Sequence, residues 1–107
     1  MQLNATPQDI EKTLDLCSEN IVYEHPAAKA RIEGKKQMRA GKASYLGLTK
    51  DPKYSVRILS SNRDVVIATV SRTFLSKQDD GSWKAGERSN ITVFEIEEGK
   101  IRRILDY

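Results

Sequence analysis

His25 is the only histidine in the chain, and it stands directly before a proline in Glu24-His25-Pro26. An imidazole near neutral pKa can move a proton on or off carbon, or activate water, at physiological pH. The preceding Ile21-Val22-Tyr23 reads as a short strand, which Pro26 ends because proline cannot donate to a ladder. His25 therefore stands at a strand end, where it either faces a pocket mouth or hydrogen-bonds a loop. Tyr23 lies two residues earlier and shares its face. It could donate to a substrate carbonyl or pack in the core with its hydroxyl satisfied. Asp106 is placed near the end of the last apolar segment. If it faces inward, burial raises its pKa and suits it to acid–base work. Strand alternation sets Arg102 and Ile104 on the same face, and an inward Arg102 would instead hold Asp106 ionised. A surface aspartate at a fraying end is the other reading. Arg72 and Arg88 fall on adjacent predicted strands, where they line a site beside an acid or decorate a solvated face. Trp83 follows Asp80-Gly81 and reads as a lid or interface aromatic. The candidate catalytic residues are thus His25, Asp106 and Tyr23. The candidate ligand-binding residues are Arg72, Arg88, Trp83 and Ile104.

Other chemistries find little support. The six glycines are scattered and form no phosphate loop. One histidine and one cysteine argue against a dedicated zinc site, so neither metal nor other cofactor is expected. Cys17 falls on a helical apolar stripe and reads as packed rather than nucleophilic. No nucleophile elbow is visible. A lone cysteine cannot form an internal disulfide, which suits a reducing cytoplasm. The first twenty residues lack the pattern of a signal peptide. No apolar run approaches the ~18 residues of a bilayer span.

The elements that must position these residues follow from periodicity. The chain has 107 residues, 38% hydrophobic and 31% charged, which fits one folded domain over 1–107. Thr6-Pro7-Gln8-Asp9 reads as a helix start, and Ile10, Leu14 and Cys17 recur at helical spacing, predicting a helix over 7–18. Residues 27–33 read as a loop. A second helix is predicted over 35–46, stopped by Gly47, with Met38, Tyr45 and Leu46 on its buried side. After Pro52 the pattern turns extended. Strands are expected at 54–58, 65–76, 88–97 and 101–107, separated by turns at 61–64, 79–81 and 98–99. Two helices followed by an antiparallel meander make an α+β fold, a strongly bent sheet packed on the helices with a concave pocket.

The net charge of +3 is uneven. Lys29, Arg31, Lys35, Lys36, Arg39 and Lys42 follow an acidic first segment. A basic run can mark nucleic-acid binding, but only Tyr45 lies near it for stacking, so a solvated helix face is the preferred reading.

In this order the segments resemble the nuclear-transport-factor-2-like superfamily, which includes ketosteroid isomerase, limonene epoxide hydrolase and the SnoaL-type polyketide cyclases. The likeness is carried by Asp9-Ile10-Glu11 leading to Ile21-Val22-Tyr23-Glu24-His25-Pro26. Gly34-Lys35-Lys36, Thr92-Val93-Phe94-Glu95-Ile96 before Gly99-Lys100-Ile101, and the closing Asp106-Tyr107 complete it. The resemblance implies a cone-shaped α+β roll of the cystatin type, with an apolar pocket and often a homodimer packed through the sheet. It also implies a further helix before residue 7, for which this sequence has almost no residues. The cover that helix would give is then missing or comes from a partner subunit. The isomerase's Glu-Asp-Pro step corresponds to Glu24-His25-Pro26, which implies a proton-transfer role for His25. An acid in the terminal strand of the cyclases and of limonene epoxide hydrolase implies such a role for Asp106. The isomerase's oxyanion tyrosine has no counterpart, and Thr92 stands where its second, protonated aspartate would be, so steroid isomerisation in that manner is not expected.

Three hypotheses remain. The first is a pocket protein for a small, largely apolar organic molecule, with isomerase, cyclase or hydrolase chemistry by His25 and Asp106. The second is a non-catalytic dimeric module with a vestigial pocket. The third is an acidic-ligand or nucleic-acid binder using residues 29–42. The first expects Tyr23, His25 and Asp106 to converge in one concave, apolar cavity, the second a filled cone and a large apolar interface, and the third steeply salt-dependent binding.

Overall fold

A computed structural model describes residues 6–107. The first helix, α1, covers Pro7–Asp15. Extended Thr6 caps it by accepting a hydrogen bond from the Asp9 N–H at 3.2 Å, and Pro7 occupies the first turn. The helix stops short of the expected residue 18. The Leu16 carbonyl instead accepts from the Ile101 N–H at 2.8 Å, and the chain is drawn into the sheet. Cys17, expected on the helix stripe, opens strand β1, Cys17–His25, and is buried there. Tertiary pairing overrides the helical spacing at this point.

The stretch expected to be loop holds a short 3-10 turn, Pro26–Ala28, and strand β2, Ala30–Glu33. Lys29 in the left-handed region, at φ 54°, turns the chain back onto β1. A four-residue strand is too short to show periodicity. Helix α2, Gly34–Ala43, ends before the predicted 46. Its last turn unwinds through Tyr45 N–H to Lys42 O and Leu46 N–H to Ala43 O bonds. The i+7 position therefore does not return to the buried face. Met38 and Lys42 are buried, Leu46 partly so, and Tyr45 is half exposed.

Four long strands follow: β3 (Thr49–Ser61), β4 (Val65–Lys77), β5 (Trp83–Glu97) and β6 (Lys100–Asp106). Strand β3 starts before Pro52 rather than after it. The proline is tolerated because β3 is an edge strand, and the register shifts between Lys50 and Lys53, with Asp51 at φ 53°. The sheet order is β2-β1-β6-β5-β4-β3. Consecutive strands from β3 to β6 pair antiparallel, while β1 joins β6 in parallel. The sheet curls, unclosed, over the two helices. Ile10, Leu14, Cys17, Ile21, Tyr23, Met38 and Ile104 form the buried core between them. Among the described residues no helix is long and apolar enough to cross a membrane.

Of the basic run, Arg31, Lys35 and Arg39 form surface ion pairs and Lys42 is buried. Arg31 meets Glu33 at 2.7 Å and Glu24 at 3.5 Å, Lys35 meets Glu19 at 3.6 Å, and Arg39 meets Glu11 at 2.6 Å.

Helix α1 is short, and its hold on the sheet rests on its apolar stripe. Leu14→Ala is expected to lower unfolding free energy by about 2–5 kcal/mol, since it empties a fully buried site. Leu16→Ala, at a largely exposed site, should change it by under ~0.5 kcal/mol. Denaturant titration of both variants checks the contrast.

Candidate functional site

Alternation along each strand sorts its residues onto two faces. Tyr23 and His25 of β1, Arg72 of β4, Arg88, Asn90 and Thr92 of β5, and Asp106 of β6 point to the concave side. All of these except Thr92 line a single cavity of about 300 Å³, closed on one side by α2 and β2. That volume suits a small organic molecule.

Asp106 lies at the inner end and is only 2% exposed. Tyr23 donates its hydroxyl to Oδ2 at 3.0 Å, and Thr92 donates to Oδ1 at 2.7 Å. Thr92 and Asp106 are direct ladder partners, and Tyr23 is paired with Ile104 two residues earlier on β6. The carboxylate is thus gripped from the strands on both sides. Burial pushes the Tyr23 pKa up, against the charges of Arg72 and Arg88, so its hydroxyl keeps its proton and remains a donor. The last residues do not fray, because the Tyr107 N–H bonds Ile91 O at 2.8 Å and Asn90 Nδ2 donates to Tyr107 O at 2.9 Å. The reading of Asp106 as a surface residue is thereby corrected.

His25 lies at the end of β1, beside Ala30 of β2, and lines the same cavity as Asp106. Arg72 and Arg88 also line it, as direct partners across the β4–β5 ladder. Arg72 is 6% exposed while Arg88 is open to solvent. Burial, and then the charge of Arg88, lowers the Arg72 pKa.

Two expected ligand-binding residues, Ile104 and Trp83, do not line this cavity, and the alternative of an Arg102 held against Asp106 does not arise. Arg102 turns away from Asp106 to Glu95 and to Glu97, the latter at 3.6 Å. Ile104 belongs to the core and lines a separate cavity of about 160 Å³ beside Cys17 and Met38. Trp83 opens β5 with the Lys50 ammonium 4.2 Å from its ring centre. It lies nine residues along the strand from Thr92, roughly 30 Å away, and does not line the cavity.

Lys42 was legible only as part of the basic run, yet it is 3% exposed and lines both cavities. Burial, assisted by the charge of Arg72, lowers its pKa to about 8. Its signal in the sequence was the i+4 spacing from Met38, which sets it on the inner stripe of α2. Among the described residues no group of three His, Cys, Asp or Glu side chains gathers as a metal site would need.

The family model for the SnoaL-like domain matches residues 4–104. The chain belongs to this SnoaL-like family. Solved structures agree on the fold. A protein assigned as a polyketide cyclase from Xanthomonas campestris pv. campestris superposes with a TM-score of 0.79 at 13% identity, covering 94% of this chain and 78% of that one. An LEH-like epoxide hydrolase from M. tuberculosis gives 0.69 at 18% identity, covering 94% and 70%. TerC, co-crystallised with polyporic acid, gives 0.69 at 16% identity, covering 94% and 78%. At these identities the likeness establishes the fold alone. No curated protein matches the sequence. In this SnoaL-like chain the expected trio, Tyr23, His25 and Asp106, does share one cavity.

Lys42 also sets a pH signature. Below about pH 8 it is charged in both the folded and the unfolded chain, and burying that charge costs stability. Between about 8 and 10.5 the unfolded chain holds the extra proton, so wild-type stability rises with pH relative to Lys42→Met. At about 1.4 kcal/mol per pH unit, the gain is on the order of 3 kcal/mol. Urea unfolding of both proteins across this window measures it, and a flat difference would contradict the burial of a charged Lys42.

Proposed function

We propose that the chain binds a small organic molecule in the concave cavity and transfers a proton at a carbon next to a carbonyl. This step is shared by isomerisation and aldol-type cyclisation, and water addition is the adjacent chemistry. The observation that carries the reading is the buried Asp106 carboxylate lining one cavity with Lys42 and Arg72.

The roles follow from charge. Asp106 takes the proton, the C–H electron pair becomes the enolate double bond, and the carbonyl oxygen gains the negative charge. The buried Lys42 ammonium supplies fixed positive charge for that oxygen in a poorly hydrated place. Tyr23 and Thr92 orient the carboxylate through their two hydrogen bonds. The proton returns to a different carbon in isomerisation, or the enolate carbon attacks a second carbonyl in cyclisation. His25 lies at the end of β1 and exchanges protons between cavity and solvent. The family's fold and the organic ligand crystallised with TerC support a ligand cavity here.

A second reading, association of two copies through the sheet, is supported by the exposed apolar side chains of Val56 and Ile58, which share one face of the edge strand β3. Sedimentation equilibrium tests it, and a monomer at high concentration rules it out.

The proton-transfer reading is tested by deuterium incorporation from D2O into a panel of β-keto acids and cyclic enones, read by mass spectrometry. Wild type should speed exchange at the α-carbon, and Asp106→Asn should lose about 10²–10⁴ of that rate. The rate should fall above about pH 8, as Lys42 loses the charge that stabilises the enolate. Equal exchange by wild type and Asp106→Asn would exclude Asp106 as the base.

A further inference from the structure

Arg72 and Arg88 oppose each other directly across the β4–β5 ladder and both reach the cavity. Like charges so placed destabilise a sheet. Burial of Arg72 makes the repulsion harder for water to screen. The charged lining as a whole is unbalanced, with Lys42, Arg72 and Arg88 against the single carboxylate of Asp106. Several surface cations, by contrast, sit in ion pairs. Arg31, Arg39, Arg102 and Arg103 each meet a glutamate at the surface. An anion in the cavity would offset the like charges that line it.

The acid–base end and the arginine end are also separated. Arg88, Asn90 and Thr92 alternate along the concave face of β5, and Thr92 holds Asp106. Four residues of strand set Arg88 and Thr92 about 13 Å apart. One end can therefore hold a charged group while the other meets a reacting carbon.

We propose that the Arg72–Arg88 pair is a carboxylate seat and that the substrate is a small organic acid, its carbonyl-bearing end directed toward Asp106. The proposal rests on the reading of this cavity as a ligand site. A planar guanidinium matches a carboxylate in two parallel hydrogen bonds, and a second guanidinium across the ladder adds charge from the other side.

The test is binding, independent of turnover. Benzoate, 1-naphthoate and 4-phenylbutyrate are titrated into the full chain beside their primary amides, with inorganic phosphate as a further arm, followed by amide chemical shifts. Wild type should favour each acid over its amide by about tenfold or more, the effect of charge-assisted hydrogen bonds. Arg88→Gln, at an exposed site that should tolerate it, should reduce the preference to within about threefold. Asp106→Asn should keep or increase the preference, which separates anion recognition from proton transfer. Amides binding as well as acids would overturn the carboxylate seat and leave the cavity reading intact. Inorganic phosphate binding as tightly as the organic acids would overturn the organic substrate. If neither acids nor amides bind below about 10 mM, the seat and the ligand cavity fall together.

Discussion

Asp106 is a carboxylate placed in the middle of the sheet and nearly closed to solvent, on the strand that separates β1 from β5. A carboxylate in such a place is tolerable only when its oxygens are satisfied. Tyr23 supplies one hydrogen bond from β1 and Thr92 the other from β5. Three neighbouring strands are therefore tied at one buried point, and that point is also the floor of the cavity. Removing either donor would take a hydrogen bond from this carboxylate at a place water reaches poorly. The parallel junction of β1 with β6, which could otherwise slip, is fixed by the same contact.

The rest of the charge distribution is arranged around this point. On the outer face, Arg103 meets Glu24 at 2.8 Å and Glu95 at 3.4 Å, and Arg102 turns to Glu95 and Glu97. On the helices, Arg39 meets Glu11 and Lys35 meets Glu19. Such surface pairs contribute little individually, but they account for cations that could otherwise be read as a nucleic-acid footprint. Inside, Lys42 and Arg72 are buried at a cost in stability that packing alone does not require. Where a fold departs from local consistency in this way, a functional site is the usual reason.

The architecture was largely legible from periodicity. The strands after Pro52 announced themselves by β-branched runs, and Asp79-Asp80-Gly81 and Glu98-Gly99 marked their turns. What failed was local pattern where pairing decided the outcome. Cys17 continued a helical stripe but is captured by β6, and β2 is too short to leave a trace. Of the site, Tyr23, His25 and Asp106 could be named from strand ends and face alternation, and they line one cavity. Trp83 could not be placed, because the sequence does not say which part of a long strand reaches the cavity. Lys42 was missed because a lysine in a basic run reads as solvated, and only its spacing from Met38 shows the inner face. Arg72 opposite Arg88 required the ladder register, which composition does not carry.

On the reading proposed above, the concave cavity is an open, charged ligand site organised around Asp106. A crystal structure of the chain grown with 1-naphthoate tests it most directly. The account predicts the ring within the cavity near Tyr23 and Asp106, with its carboxylate on Arg72 and Arg88. A cavity filled by its own side chains, or naphthoate bound only elsewhere on the surface, would contradict it.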